Sequence, residues 1–198
     1  MSTNPPQRRF TRAELESFRD AEVPDLLPSP GQDLRLLFVG INPGLWTAAT
    51  QTHFAHPGNR FYPALLQAGI VQRRIDPSAG MTDDDRDHLR ARGIGITNLV
   101  RRATARADEL TATELREGGE RLLATVRDTR PEVVAIAGIT AYRSAFGVRG
   151  ARVGEQIDGL EGARLWVVPN PSGLNAHETV ASLAVAYAEP ARAAGVIG

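Results

Sequence analysis

Residues 34–44 read Leu34-Arg35-Leu36-Leu37-Phe38-Val39-Gly40-Ile41-Asn42-Pro43-Gly44. The run from Leu34 to Val39 is short, almost wholly apolar and followed at once by a Gly/Asn/Pro turn, as expected of a strand buried on both faces. A second such run, Leu165 to Val168, leads into Asn170-Pro171-Ser172-Gly173-Leu174. In open parallel α/β sheets, ligand sites form where the chain leaves the carboxyl ends of the strands. Two Asn-Pro loops leaving such ends can face each other across one crevice. A site of that kind consists of backbone amides and neutral amide side chains, with little charge.

Between and around these loops the pattern alternates. Gly58 to Ala68 and Thr82 to Arg92 read as helices, and Gly95 to Val100 as a strand. Thr111 to Asp128 is an amphipathic helix, opened by Thr111 and Glu114 in capping-box spacing. Glu132 to Ala137 reads as a strand, Thr140 to Phe146 as a short helix and Glu178 to Ala194 as a final helix. Strands alternating with helices predict an α/β fold: a single-domain, three-layer structure with a short, mostly parallel β-sheet flanked by helices. Residues 1–22 form a polar N-terminal extension and residues 23–198 the domain. Within the polar leader, Thr11 to Asp20 has the spacing of one short helix, again with a capping box (Thr11 and Glu14). Pro24, Pro28, Pro30 and Gly31 then punctuate the approach to the first strand.

Composition narrows the chemistry. The chain of 198 residues is 42% hydrophobic, which suits one domain with a sizeable core. It has no cysteine, which excludes disulfides, thiolate catalysis and Cys-ligated metals. Lysine is absent as well, so Schiff-base chemistry by a lysine amine is impossible. The formal net charge is zero, so any polyanion partner must be met by locally segregated charge. No apolar run approaches the ~18 residues of a membrane span, and the N-terminal residues lack the apolar stretch of a secretory signal.

Four blocks occur in order: Gly40 to Gly44 (GINPG), Phe54 to Phe61 (FAHPGNRF), Gly95 to Val100 (GITNLV) and Asn170 to Leu174 (NPSGL). Together they resemble the mismatch-specific uracil-DNA glycosylases, the bacterial double-strand enzymes grouped with thymine-DNA glycosylase. The similarity covers roughly Val23 to Pro190. It implies a uracil-DNA-glycosylase-like fold and a DNA-repair enzyme that flips uracil from mismatched double-stranded DNA. Hydrolysis of the N-glycosidic bond would then leave an abasic site, with no metal and no cofactor. The expected partner is duplex DNA containing uracil or a related damaged pyrimidine. The resemblance also implies a monomer in the bacterial cytoplasm, at the nucleoid when on DNA.

Site roles follow by the same resemblance. Asn42 stands where family members hold the attacking water, and Asn170 where they donate a hydrogen bond to the pyrimidine O2. An amide orients water but cannot take its proton, so the implied mechanism is dissociative. Phe54 matches the aromatic on which the flipped pyrimidine stacks, and backbone amides near Ile41 and Phe54 read its edge. Gly44 lies in the same base-binding loop. Thr47 matches a small residue beside the pyrimidine 5-position, where its methyl group would crowd thymine. Asn98 follows the thymine-glycosylase branch at a position that is lysine in some bacterial relatives; its amide offers the base both a donor and an acceptor. Leu174 matches the wedge that fills the space left by the flipped nucleotide. Ser172, with Gly173 and Asn175 beside it, would contact the DNA, helped by the positive end of the last helix. Relatives often continue NPSGL with Ser-Arg, whereas this chain has Asn175-Ala176-His177, so dependence on an opposite guanine is expected to be looser.

Other readings stay open at this stage. A protein of the same fold could bind damaged or mismatched DNA without efficient catalysis, since Asn42 replaces a carboxylate. An α/β nucleotide-binding protein is a further option, although GINPG is neither a dinucleotide fingerprint nor a P-loop. The cluster Thr82-Asp83-Asp84-Asp85-Arg86-Asp87 reads first as a capped, acidic helix start. A sharper reading brings one carboxylate of the cluster, Asp87 for instance, to the pocket, as the base that Asn42 cannot be or to stabilise positive charge on the sugar. Arg101, Arg102 and Arg149 are candidates for phosphate contacts.

Overall fold

The computed structural model describes residues 10–29 and 31–198. Residues 1–9 of the polar extension, and Pro30, lie outside the described residues. Five strands form one sheet in the order β2-β1-β3-β5-β4. These are β1 (Leu36–Gly40), β2 (Ile94–Asn98), β3 (Val133–Ala137), β4 (Gly154–Leu160) and β5 (Ala163–Val168). All neighbouring pairs are parallel except β4 with β5. The helices are α1 (Arg12–Glu16), α2 (Leu45–Thr50), α3 (Phe61–Gln67), α4 (Asp83–Ala91), α5 (Ala112–Thr129), α6 (Ile139–Phe146) and α7 (Val180–Ala193), with a 3-10 turn at Ala107–Glu109.

Strand side chains alternate between two separate apolar cores, which is why the parallel strands carry unbroken hydrophobic runs. Leu36, Phe38, Ile96, Ala135 and Trp166 pack with Phe61 and Leu65 of α3, Leu89 of α4, and Leu183 and Tyr187 of α7. Leu37, Val39, Val134, Ile136 and Val167 face the other way, onto Leu122 and Val126 of α5 and Ala141, Tyr142 and Ala145 of α6. The result is the three-layer arrangement expected from the sequence. In α5, Gly118 and Gly119 look like helix breakers. A side chain at either would come within 2.4 Å of the Leu99 carbonyl oxygen or 3.0 Å of that of Ala145. The two glycines let α5 lie directly against the end of β2 and against α6, offsetting a helix-propensity cost of about 1 kcal/mol each.

Part of the N-terminal segment packs on the domain. Leu15, Phe18 and Ala21 lie against Val23, Leu45, Ala48 and Ala103. Glu22 forms an antiparallel bridge with Arg102, and Leu26 with Ile96. The capping box of Thr11 and Glu14 opens α1, which is only one turn long and ends at Glu16.

Two elements have no counterpart in the sequence reading. Helix α2 follows the first loop directly, with Gly44 as its N-cap. Strand β4, Gly-Glu-Gln-Ile-Asp-Gly-Leu, is polar because it is an edge strand; it pairs only with β5, and its Ile157 is fully exposed. Helix α3 begins at Phe61 rather than Gly58, because the Asn59 side chain accepts from the Phe61 N–H and keeps the preceding residues in a loop. Helix α7 starts at Val180, capped by Thr179 and Ser182. No helix among the described residues is long and apolar enough to cross a membrane.

Candidate active site

From β1 the chain crosses to β2 on one side and later to β3 on the other, so the order reverses at β1. A crevice is expected outside the carboxyl ends of the strands at such a point. The first Asn-Pro loop leaves β1 there. The second leaves β5, two strands away, at about 10 Å by ordinary strand spacing. Gly138 lies between them: its N–H donates to the Val168 carbonyl, and its Cα lies against the Ile41 side chain.

Asn42 is half-buried and held entirely through its nitrogen. The two hydrogens of its Nδ2 are shared among the Pro43 carbonyl at 3.1 Å, the Arg102 carbonyl at 3.1 Å and Thr104 Oγ1 at 2.7 Å. Two of these partners are carbonyl oxygens, which only accept, so the amide cannot be reversed. Thr104 spends its own proton on the Arg106 carbonyl. The Asn42 Oδ1 has no hydrogen bond among the described residues and is available to a ligand or a water.

Asn170 is anchored the other way round. Its Oδ1 accepts from the Ser172 N–H at 2.9 Å, and its main-chain oxygen accepts from Asn175 Nδ2 at 3.0 Å. The Nδ2 donor is left without a partner among the described residues. Asn175 therefore braces the loop.

Phe54 lies beside the end of β1, from which the first loop leaves. Its ring stacks on Phe61 with centroids 4.1 Å apart and planes 25° from parallel. Its backbone has φ 56°, an unusual conformation for a bulky residue that costs roughly 1–3 kcal/mol. Neighbouring bonds hold it there: the Thr52 N–H donates to the Thr47 carbonyl, and the Tyr62 hydroxyl donates to the His53 carbonyl at 3.0 Å. Gly40 is required beside it, because a side chain there would lie 2.4 Å from Asn98 Oδ1 and 3.2 Å from the Phe54 ring. Asn98, at the end of β2 and level with Gly40, thus points toward the same aromatic. Thr47 is buried on the first turns of α2.

The loop carrying Phe54 also grips the second Asn-Pro loop. The Arg60 N–H donates to the Pro171 carbonyl at 3.0 Å. The Arg60 guanidinium donates to the Ser172 and Asn175 carbonyls at 3.3 and 3.0 Å. Gly173 packs so tightly on this loop that a side chain there would be 2.6 Å from the Gly58 carbonyl oxygen. Sequence reading did not single out Arg60, although it lies inside the FAHPGNRF block. It also missed His53 and Thr104, whose partners lie far away in the chain.

Leu174 projects from the tip of this loop and is 85% exposed, so it contributes nothing to the packing of the last helix. Ser172 does not stand at a helix end. The last helix begins at Val180 and satisfies its first turn with its own Thr179 and Ser182, while Ser172 Oγ accepts from the Leu174 N–H at 3.3 Å.

Asp87 is turned to solvent. Its side chain is 72% exposed and paired at 3.3 Å with Arg90, whose Nε donates to the Leu27 carbonyl. The acidic run caps α4 instead: Thr82 accepts from the Asp85 N–H, and Asp85 is buried against Arg73 at 2.6 Å. The arginines divide as well. Arg102 is committed to Glu114 and Asp20, and Arg101 lies 3.5 Å from Asp25. Arg149 is exposed and forms no ion pair among the described residues. A cavity of about 450 Å³ opens at the opposite, amino end of the sheet, lined by Gln32, Arg35, Arg90, Arg92 and Val196. The arginines there donate to the carbonyls of Gly195, Leu27, Ile70 and Val196.

The loops therefore form one rim that offers a fixed acceptor, a fixed donor, an aromatic face and a protruding leucine. The model of the uracil DNA glycosylase superfamily matches residues 28–189, a span that includes every one of these loops. The chain belongs to the uracil DNA glycosylase superfamily.

Proposed function

We propose that this protein is a monofunctional uracil-DNA glycosylase of the mismatch-specific branch, acting on double-stranded DNA and leaving an abasic site. The observation that carries the reading is the opposed anchoring of Asn42 and Asn170, which leaves one acceptor and one donor free at the same crevice.

Neither Asn-Pro loop contains a carboxylate, so the reaction is led by departure of the base. The C1′–N1 bond breaks with its electron pair going to the uracil, whose developing charge at O2 is met by the Asn170 N–H. A donor aimed at such charge in a dry site is worth about 3–4 kcal/mol. Water held by the Asn42 Oδ1 adds to the sugar cation and passes its proton to solvent. Phe54 supports the flipped base, with stacking worth about 1–3 kcal/mol. Leu174 occupies the gap in the duplex.

The test is incubation with labelled duplexes carrying G·U, A·U and G·T, with and without alkali. Alkali-dependent cleavage at uracil, lost in Asn42→Ala, supports the proposal. Tight duplex binding without an abasic product from any of them overturns it in favour of a damage-binding module.

A further inference from the structure

His53 is buried, and both of its ring nitrogens are engaged. Nε2 lies 3.0 Å from the Pro24 carbonyl, and Nδ1 lies 3.0 Å from Asn98 Nδ2. Burial lowers the affinity of this imidazole for a second proton, which keeps it neutral. A carbonyl oxygen only accepts, so the single ring proton sits on Nε2 and Nδ1 is a bare acceptor. Asn98 must therefore turn its NH2 toward His53. Its Oδ1 then faces the opposite way, over Gly40 and beside the Phe54 ring.

Resting on the glycosylase reading above, we infer that His53 is a positioning residue: it holds Asn98 as a hydrogen-bond acceptor toward the flipped base and so selects uracil over cytosine. The hydrogen bonds run in one direction, from base N–H to Asn98 Oδ1, from Asn98 Nδ2 to His53 Nδ1, and from His53 Nε2 to the Pro24 carbonyl. The terminal carbonyl cannot change its role, so the order cannot reverse. Uracil carries a hydrogen on N3 and completes the chain. Cytosine carries a lone pair there and sets acceptor against acceptor. A free asparagine would rotate its amide and take either base. A locked one cannot, and a buried site built to pair with one partner penalises the wrong one strongly. Since cytosine is a normal DNA base, this lock protects undamaged DNA.

The test uses duplexes bearing non-cleavable 2′-fluoro-deoxyuridine or 2′-fluoro-deoxycytidine opposite a tetrahydrofuran abasic analogue, so that neither base has a pairing partner. The wild-type protein is expected to bind the uridine duplex roughly a hundredfold more tightly, and His53→Leu to reduce that preference to about threefold by gaining cytidine binding. A purely structural role would weaken both duplexes alike. His53→Asn, which still offers an oxygen near the Nδ1 position, is expected to keep most of the preference. Ring-nitrogen NMR of the isotope-labelled wild-type protein supplies a second measurement that needs no variant, and should find hydrogen on Nε2 only. An unchanged preference in folded His53→Leu, or a proton on Nδ1 in the wild type, overturns the inference. Because binding is read rather than excision, loss of the glycosylase reading and loss of this one give different results.

Discussion

Asn42 and Asn170 are anchored by opposite ends of the same functional group. Asn42 gives its amide nitrogen to the Arg102 carbonyl and Thr104, while Asn170 gives its amide oxygen to the Ser172 N–H. One residue type thus provides an acceptor at the end of β1 and a donor at the end of β5. The polarity of each comes from its surroundings.

Removing either amide should lower the rate and leave duplex affinity little changed, the sign of interactions made in the transition state. Asn42→Ala is expected to slow excision of uracil by roughly a hundredfold or more, and Asn170→Ala by about 10²–10³. Single-turnover assays on a G·U duplex measure both. Asn42→Asp should also cost about 1–3 kcal/mol of stability, because a carboxylate has no proton for the two carbonyls.

Leu174→Ala should leave the melting temperature unchanged, since the side chain is 85% exposed. On the glycosylase reading, in which Leu174 fills the gap left by the flipped nucleotide, its loss is expected to weaken binding to a uracil duplex by roughly tenfold. Thermal unfolding and duplex titration together separate the two effects.

Arg60→Ala should loosen a loop that it does not belong to. The guanidinium ties the Ser172 and Asn175 carbonyls, so amides of residues 172–175 should exchange faster with solvent while the sheet is unaffected. Excision should fall by about tenfold through misplacement of Asn170. Hydrogen exchange read by mass spectrometry checks the first outcome.

Acid should weaken the ion pair between Arg102 and the first turn of α5. The Arg102 guanidinium, with help from the Thr111 N–H and hydroxyl, holds the Glu114 carboxyl down at about 2. A carboxyl bound more tightly as its anion in the folded state stabilises it at pH above the ordinary value of 4.5, and that contribution disappears as pH falls toward 2. Glu114→Gln should therefore flatten the acid side of a melting-temperature profile and change little near neutrality beyond a constant offset.

Thr47→Ala should widen the base pocket. On the glycosylase reading, in which Thr47 faces the pyrimidine 5-position, removing its methyl group is expected to raise thymine excision relative to uracil by roughly tenfold. The ratio of rates on G·T and G·U duplexes is the measurement.

Much of this was legible in the chain. The apolar runs of β1, β3 and β5 announced strands buried on both faces, and the core confirms it with Leu36 and Leu37 pointing into different layers. Capping pairs marked the starts of α1 and α5. Strand β4 was hidden because an edge strand needs only backbone pairing and keeps polar side chains. Helix α2 was hidden because its six residues follow a loop without a capping side chain. The partner of Asp87, Arg90 one turn along the same helix, was not legible as such, because position along the helix, not residue type, decides which way a carboxylate faces.

By itself, the sequence determined the fold class and the places where loops must leave the sheet, because hydrophobic periodicity and Gly/Pro punctuation are local properties. It also determined what the loops contain: an asparagine opening each Asn-Pro pair, an aromatic and no carboxylate. Only the tertiary structure decided which end of each amide is free. That depends on partners supplied by other parts of the fold: the Arg102 carbonyl and Thr104 for Asn42, and His53, itself held by the Pro24 carbonyl, for Asn98. An asparagine in a sequence is both donor and acceptor, and it becomes one or the other only when folding brings a partner that cannot reverse its role.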